Sequence, residues 1–348
     1  MYLNLYSSCH LIKGYLNCSI LDAQKGDIYI IDKKMYYYFI EGSIDIENSL
    51  IEKEDLEFYK SFLIDNQLGF LSATKIPIDK TNYDWDFPAY VSNAIVEYDL
   101  SDISLEKQII EQLNEVLCPH IEVRVLGDVT QTRFNEFSQV ILKSKITSVD
   151  MFVDKKNFFQ FDLSFYKEKF FSANPKINRL VFFNSDFDDL ISIGEKKVII
   201  FTKQKFNNNL CGNISPKFFA KNIYVFSESQ RFNTCLNRKV SIDRFGNIKN
   251  CLSFSNNFGN IKEEKIKDVI VNPEFTKYWY IKKDDITVCK DCEFRHVCTD
   301  CRAFIENPND ILSKPLKCGY NPYDGTWEEW SINPLKRKTI EYYKLDKF

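Results

Sequence analysis

Glycine and proline are scarce in this 348-residue chain, 11 and 10 in number, while 44% of it is apolar and 27% charged. That profile excludes disorder, collagen and mucin-like stalks. Long apolar runs are missing too. Nothing approaches the roughly 18 consecutive apolar residues of a membrane span, and the opening MYLNLYSSCHLIKG has no charged stretch followed by an apolar one. The chain therefore reads as cytoplasmic, with no membrane partner. Basic clusters are almost absent: the net charge is −3 and the one knot, LKRK at 335–338, reads as a solvated face. Without such clusters no nucleic-acid partner is expected. The three histidines, His10, His120 and His296, stand far apart and form no HExxH. No glycine-rich phosphate loop occurs, which argues against ATP or NAD on this chain.

Phenylalanine (30) and tyrosine (19) are abundant, and cysteine (11) is unevenly spread. Cys9, Cys18 and Cys118 are the only three in the first 210 residues; Cys211, Cys235, Cys251, Cys289, Cys292, Cys298, Cys301 and Cys318 follow. In a reducing cytoplasm such clustering points to metal or redox chemistry rather than disulfides. Eight thiols would serve two four-cysteine sites.

The first 40 residues alternate as strands do: YLNLY, CSILDAQ and DIYIID, with a turn at Lys25-Gly26. Leu56, Tyr59, Phe62, Leu63 and Leu68 share one face of a helix over 53–68, which Gly69 would close in a left-handed conformation. Residues 1–75 thus form a small α+β domain, followed by a linker over 72–88. Next come strands at 94–98, 121–126, 148–153, 179–184, 197–201 and 222–226, with helices in most gaps. This is the pattern of a parallel β/α sheet over 90–229, open or curled into a partial barrel. The third region, 230–348, opens with a hairpin between Cys235 and Cys251 that bends at Gly246.

CKDCEFRHVCTDC (289–301) packs four thiols into thirteen residues. Cys289, Cys292 and Cys298 can surround one centre, whereas Cys301 follows too soon to join them. In the cysteine runs of two-cluster ferredoxins the fourth cysteine serves the other cluster. Two centres result. Cys289, Cys292, Cys298 and Cys318 bind one, and Cys235, Cys251 and Cys301 bind the other, leaving a vertex for Cys211, a water or a substrate group. The alternative is zinc, although zinc ribbons usually separate their CxxC pairs by about 15–20 residues.

The order Cys235-x10-Gly246-x4-Cys251, Cys289-x2-Cys292-x5-Cys298-x2-Cys301, Cys318 resembles the seven-cysteine SPASM domain, the auxiliary module of many radical SAM peptide-modifying enzymes. The gap before Cys301 is two residues where three are more usual. FGNIKEEKIKDVI and Trp279 look like the SPASM linker. From YSSCHLIKGYLNCSILDAQKGDIYII through CRAF (301–304) the chain is similar to the SPASM-domain peptide maturases of grasp-with-spasm systems. That resemblance implies two 4Fe-4S clusters and two partners, an ATP-grasp ligase and a ribosomally made precursor peptide. It also implies a winged-helix-like N-terminal domain that takes a leader peptide as an added strand. Where radical SAM enzymes carry CxxxCxxC, this chain has DLSDISLEK (99–107), so the radical SAM-like region is degenerate. Neither S-adenosylmethionine nor ordinary radical SAM catalysis is expected. Cys118 reads as a small buried residue, and no catalytic residue is assigned. The expected function is peptide maturation, as maturase or scaffold. The alternatives are an independent iron–sulfur redox enzyme and a zinc-braced structural protein.

Overall fold

The computed structural model describes residues 1–76, 86–207, 209 and 211–345. Contacts gather the chain into two compact units, Met1–Trp85 with Gly212–Cys235 and Tyr280–Phe348, and Asp86–Cys211 with Leu236–Trp279. Their limits do not coincide with the consecutive stretches 1–75, 90–229 and 230–348. Most of the linker expected at 72–88 lies outside the described residues.

The first unit begins with β1 (Tyr2–Leu5), β2 (Cys9–Lys13), β3 (Cys18–Asp22), β4 (Asp27–Ile31), α1 (Lys33–Tyr38), β5 (Ser43–Asp45), α2 (Lys53–Asp65) and β6 (Gly69–Ser72). These strands make two antiparallel three-stranded sheets, ordered β5-β1-β6 and β2-β3-β4. The hairpin at Lys25-Gly26 is present, with Asp22 opposite Asp27 and Gly26 at φ +76°. Asp32 caps α1 by accepting a hydrogen bond from the Met35 N–H at 2.7 Å. One core is built from Leu3, Leu5, Ile20, Ile31, Met35, Tyr59 and Leu63.

The end of α2 differs from expectation. The left-handed residue there is Gln67 (φ +52°), and Gly69 instead starts β6 opposite Leu5. A Cβ on Gly69 would stand 2.3 Å from the Asn4 carbonyl oxygen, so close strand approach, not helix closure, requires the glycine.

The second unit contains β7 (Asn93–Tyr98), α3 (Ile103–Glu115), β8 (His120–Val125), β9 (Val129–Thr130), α4 (Gln131–Lys143), β10 (Ser148–Asp154) and β11 (Phe158–Phe159). A helical run follows: α5 (Leu163–Phe165), a π-turn (Tyr166–Phe170) and α6 (Phe171–Ala173). β12 (Ile177–Phe183), β13 (Asp189–Ile193), β14 (Lys197–Phe201), β15 (Lys239–Ile242) and β16 (Ile248–Lys249) complete an eight-stranded sheet ordered β13-β14-β12-β10-β8-β7-β15-β16. The pairings from β14 to β15 are parallel, whereas β13 and β16 add antiparallel edges. Val96, Val123, Met151, Leu180 and Ile199 lie in register across five strands and are fully buried. Phenylalanine fills much of the rest. Phe134 meets Phe158 edge-on at 5.3 Å and Phe182 stacks on Phe201 at 5.2 Å, geometries that add about 0.5–1.5 kcal/mol per pair beyond burial.

Five of the six expected parallel strands are present. The sixth, 222–226, is a helix instead: α7 (Ile223–Ser229) belongs to the first unit, and Asn222 caps it by accepting from the Val225 N–H at 3.0 Å. A capping asparagine overrides the strand-like IYVF run. The short turns α8 (Ile266–Val269) and α9 (Pro273–Thr276) lie in the second unit; β17 (Tyr320–Asn321), β18 (Thr326–Trp327) and α10 (Arg337–Tyr342) lie in the first. Among the described residues no helix is long and apolar enough to cross a membrane.

Candidate metal centre

The segment around CKDC is held by the N-terminal strands of its own unit. Ile12 and Leu21, from β2 and β3, share a buried cluster with Phe226 of α7 and Val297. The Ser19 hydroxyl donates to the Glu293 carbonyl at 2.8 Å, and the Tyr15 N–H donates to the Asp291 carbonyl at 2.7 Å. Arg295 donates to the carbonyls of Lys13 and Cys292 and pairs with Asp284 at 2.8 Å. The loop is strained at its entry, where Val288, a β-branched residue, takes φ +70°. Cys289–Asp291 then winds as one 3₁₀ turn, closed by the Cys292 N–H donating to the Cys289 carbonyl at 3.0 Å.

Four cysteines share one neighbourhood. Cys298 and Cys318 are core members with Ile214 and Tyr320, and Cys292, Phe294 and Phe219 pack against them. Cys289 is buried and interacts electrostatically with Cys318. Burial pushes the Cys289 thiol up to about 11 and the Cys298 thiol up to about 12, and takes Cys292 well above its ordinary value. A bound metal displaces those protons, because thiolate is the ligand. The Phe294 N–H points at the Cys292 sulfur (3.4 Å), and the Lys283 ammonium stands 3.9 Å from the Cys289 sulfur.

This environment fits an iron–sulfur cluster: donors of sulfur alone, an apolar wall, and N–H groups aimed at sulfur. Among the described residues no three His, Cys, Asp or Glu side chains are grouped to hold a single metal ion.

Cys235 and Cys301 lie in the same unit, and a polar chain connects their surroundings. Asn233 accepts from the Cys235 N–H at 3.0 Å and donates to Asp300, the residue before Cys301, at 2.7 Å. Thr234 donates to the Cys298 carbonyl at 3.2 Å. Gly212 adopts φ +84° against Cys301, where an added Cβ would stand 2.8 Å from the sulfur. Cys211 and Cys251 fall in the second unit, the former exposed and the latter half-buried. In that unit β15 and β16 form the expected hairpin, with Ser241 opposite Lys249 and Gly246 at φ +84°. Among the described residues no cysteine is in a disulfide. Cys118 is buried and donates to the His120 carbonyl, as a small core residue would.

Several contributing residues gave no signal in the sequence. Asp300, fully buried, accepts from Arg302 at 2.7 and 3.0 Å and from Asn233, and is ion-paired to Lys283 at 3.3 Å. Burial opposes the charge of Lys283, but Asp300 and then the Cys289 and Cys298 sulfurs outweigh it and raise its pKa. Glu293, fully buried, accepts from the Tyr320 hydroxyl at 2.5 Å.

In the LKRK segment Leu335, Arg337 and Lys338 are exposed, as a solvated face requires, and one residue departs from that reading. Lys336 is buried and donates to the carbonyls of Leu316 (2.9 Å) and Cys318 (2.6 Å), so a lysine stem fixes the backbone at a cysteine. His296, which lies within the CKDCEFRHVCTDC run, stays neutral. Burial pulls it down to about 4, and its Nδ1 lies 3.0 Å from the Ser229 hydroxyl.

The family model described as SPASM, an iron-sulfur cluster-binding domain, matches residues 234–293, a stretch that includes Cys235, Cys251, Cys289 and Cys292. A SPASM iron–sulfur cluster-binding domain is therefore found in this chain. No curated protein matches it.

Proposed function

We propose that this chain is a maturation factor for a ribosomally made peptide, working in the cytoplasm with an ATP-grasp ligase. Its SPASM domain holds two 4Fe-4S clusters, one on Cys289, Cys292, Cys298 and Cys318, the other on Cys235, Cys251 and Cys301 with Cys211 as a candidate fourth ligand. The observation that carries this reading is the packing of Cys292 against the buried Cys298 and Cys318, with the Phe294 N–H on the Cys292 sulfur, in a chain with a SPASM match. When bound, such clusters supply one-electron redox chemistry and a Lewis-acidic iron at any open vertex. The chain's own residues hold them, exclude water and fix the charge around them.

Residues 1–75 serve as the peptide recognition domain, winged-helix-like in our reading, and 90–229 as a degenerate β/α scaffold preceding the SPASM region at 230–348. The sheet β2-β3-β4 supports peptide recognition. Its outer strand β4 pairs only with β3 among the described residues and exposes Ile30, which suits strand addition.

Two measurements test the proposal. Protein purified without oxygen should be brown, with iron and acid-labile sulfide near two clusters per chain; colourless, zinc-loaded protein refutes it. The intact chain should bind the short precursor peptide encoded beside an ATP-grasp ligase gene. Cluster-bearing protein with no such gene neighbours and no peptide binding leaves an independent redox enzyme instead.

A further inference from the structure

The buried charges around Asp300 do not balance. Lys283 and Arg302 are both buried, at 3% and 0% side-chain exposure, and each is ion-paired to the single carboxylate of Asp300. Asp300 carries a single negative charge between them: one oxygen faces Lys283 and takes two Arg302 donors, and the other takes Asn233. The Arg302 Nη1 donates to the neutral carbonyls of Ile311 and Ser313, at 3.1 and 2.7 Å. An excess positive charge in a dry interior costs several kcal/mol unless an anion meets it. The group that Lys283 reaches beyond Asp300 is the Cys289 sulfur, at 3.9 Å.

We propose that Lys283, clamped by Asp300, is a positioning residue whose fixed charge offsets the anionic centre on Cys289, Cys292, Cys298 and Cys318 and raises its reduction potential. Reduction adds negative charge to a cluster, so a nearby buried cation favours the reduced form. The same carboxylate, through Asn233, holds the Cys235 N–H. One buried aspartate thus anchors both the charge beside the first centre and the backbone at a ligand assigned to the second. This deepens the iron–sulfur reading and rests on it.

The test is a redox titration of the full chain, purified without oxygen and followed by electron paramagnetic resonance, with Cys318→Ser identifying the signal of the first centre. Iron and sulfide are measured first. Their absence from the unaltered protein refutes the iron–sulfur reading itself. With clusters present, Lys283→Met should shift the potential of the first centre to more negative values, while Lys283→Arg stays near the unaltered protein. Should Lys283→Met load poorly, Lys283→Gln provides the uncharged comparison. An uncharged variant with full iron and an unmoved potential overturns the proposal, as does a Lys283→Arg potential as negative as that of the uncharged variant.

Discussion

Replacing Asp300 with asparagine keeps the side-chain shape and removes one charge. In the native chain that carboxylate is 1% exposed, 2.7 Å from Arg302 and 3.3 Å from Lys283. Breaking a buried ion pair from one side costs about 3–5 kcal/mol, because the abandoned partner stays desolvated and unpaired. Here two cations are abandoned together, so the upper part of that range applies. Total stability of a domain is about 5–15 kcal/mol, and for a unit of this size each kcal/mol moves the melting temperature by about 2–4 °C. Asp300→Asn should therefore melt about 8–20 °C below the unaltered chain and unfold at clearly lower urea. The control is Glu274→Gln, which removes the 2.8 Å pair to Lys277. Both of its partners are solvent-exposed, and such pairs contribute about 0–1 kcal/mol. Calorimetry and urea titration on the two variants decide the matter. An Asp300→Asn protein as stable as Glu274→Gln refutes the claim that the Asp300 network is a desolvated charge cluster.

Other outcomes follow from the same geometry. Gly212→Ala places a methyl 2.8 Å from the Cys301 sulfur at φ +84°, which should lower iron content at that centre and destabilise the chain by about 1–2 kcal/mol; unchanged iron and melting would contradict it. Cys298→Ser should remove about half of the iron and sulfide, whereas Cys118→Ser should leave both intact. Burial lowers the pKa of His10, which stacks on Phe226 at 4.5 Å. Below the ordinary histidine value of about 6.5 the unfolded chain then takes up a proton that the folded chain refuses. His10 therefore makes stability fall as pH drops from about 6.5 towards its depressed folded value, by at most about 1.4 kcal/mol per pH unit. Urea titrations between pH 7 and 5 should show a shallower slope for His10→Phe, and identical slopes would refute this.

Sequence periodicity revealed those elements whose environment is uniform along their length. Of the strands on the parallel ladder, β8 and β10 alternate apolar and polar residues while β12 and β14 carry apolar runs, and α3 and α4 carry one apolar face, so their signals were strong. β13 escaped notice because it lies at the sheet edge with mostly exposed side chains, which leaves DLISI without an apolar alternation. β2 escaped because CHLIK follows directly on the turn after β1, and its polar His10 is the buried residue while Leu11 is only half-buried. Around CKDC, cysteine spacing drew attention to Cys292, Cys298 and Cys318, which pack in one cluster, since only a few chemistries place so many thiols together. Lys283, Asp300, Asn233 and Lys336 left no trace. Their roles arise from burial and from contacts between stretches far apart in the chain, and single polar residues carry no period that could announce either.

The first unit draws on three separated stretches, so Ile12 and Leu21 stay uncovered until Phe226 and Val297 have emerged from the ribosome. At about 5–20 residues per second, the 276 residues from Leu21 to Val297 take about 15–55 s to translate. During that interval the nascent N-terminal sheet must be tolerated, or chaperoned, with an apolar face open to solvent. Under the proposed cluster assignment, delivery of iron and sulfide to Cys289, Cys292, Cys298 and Cys318 would be a late event, timed by synthesis of the tail rather than by folding of the head.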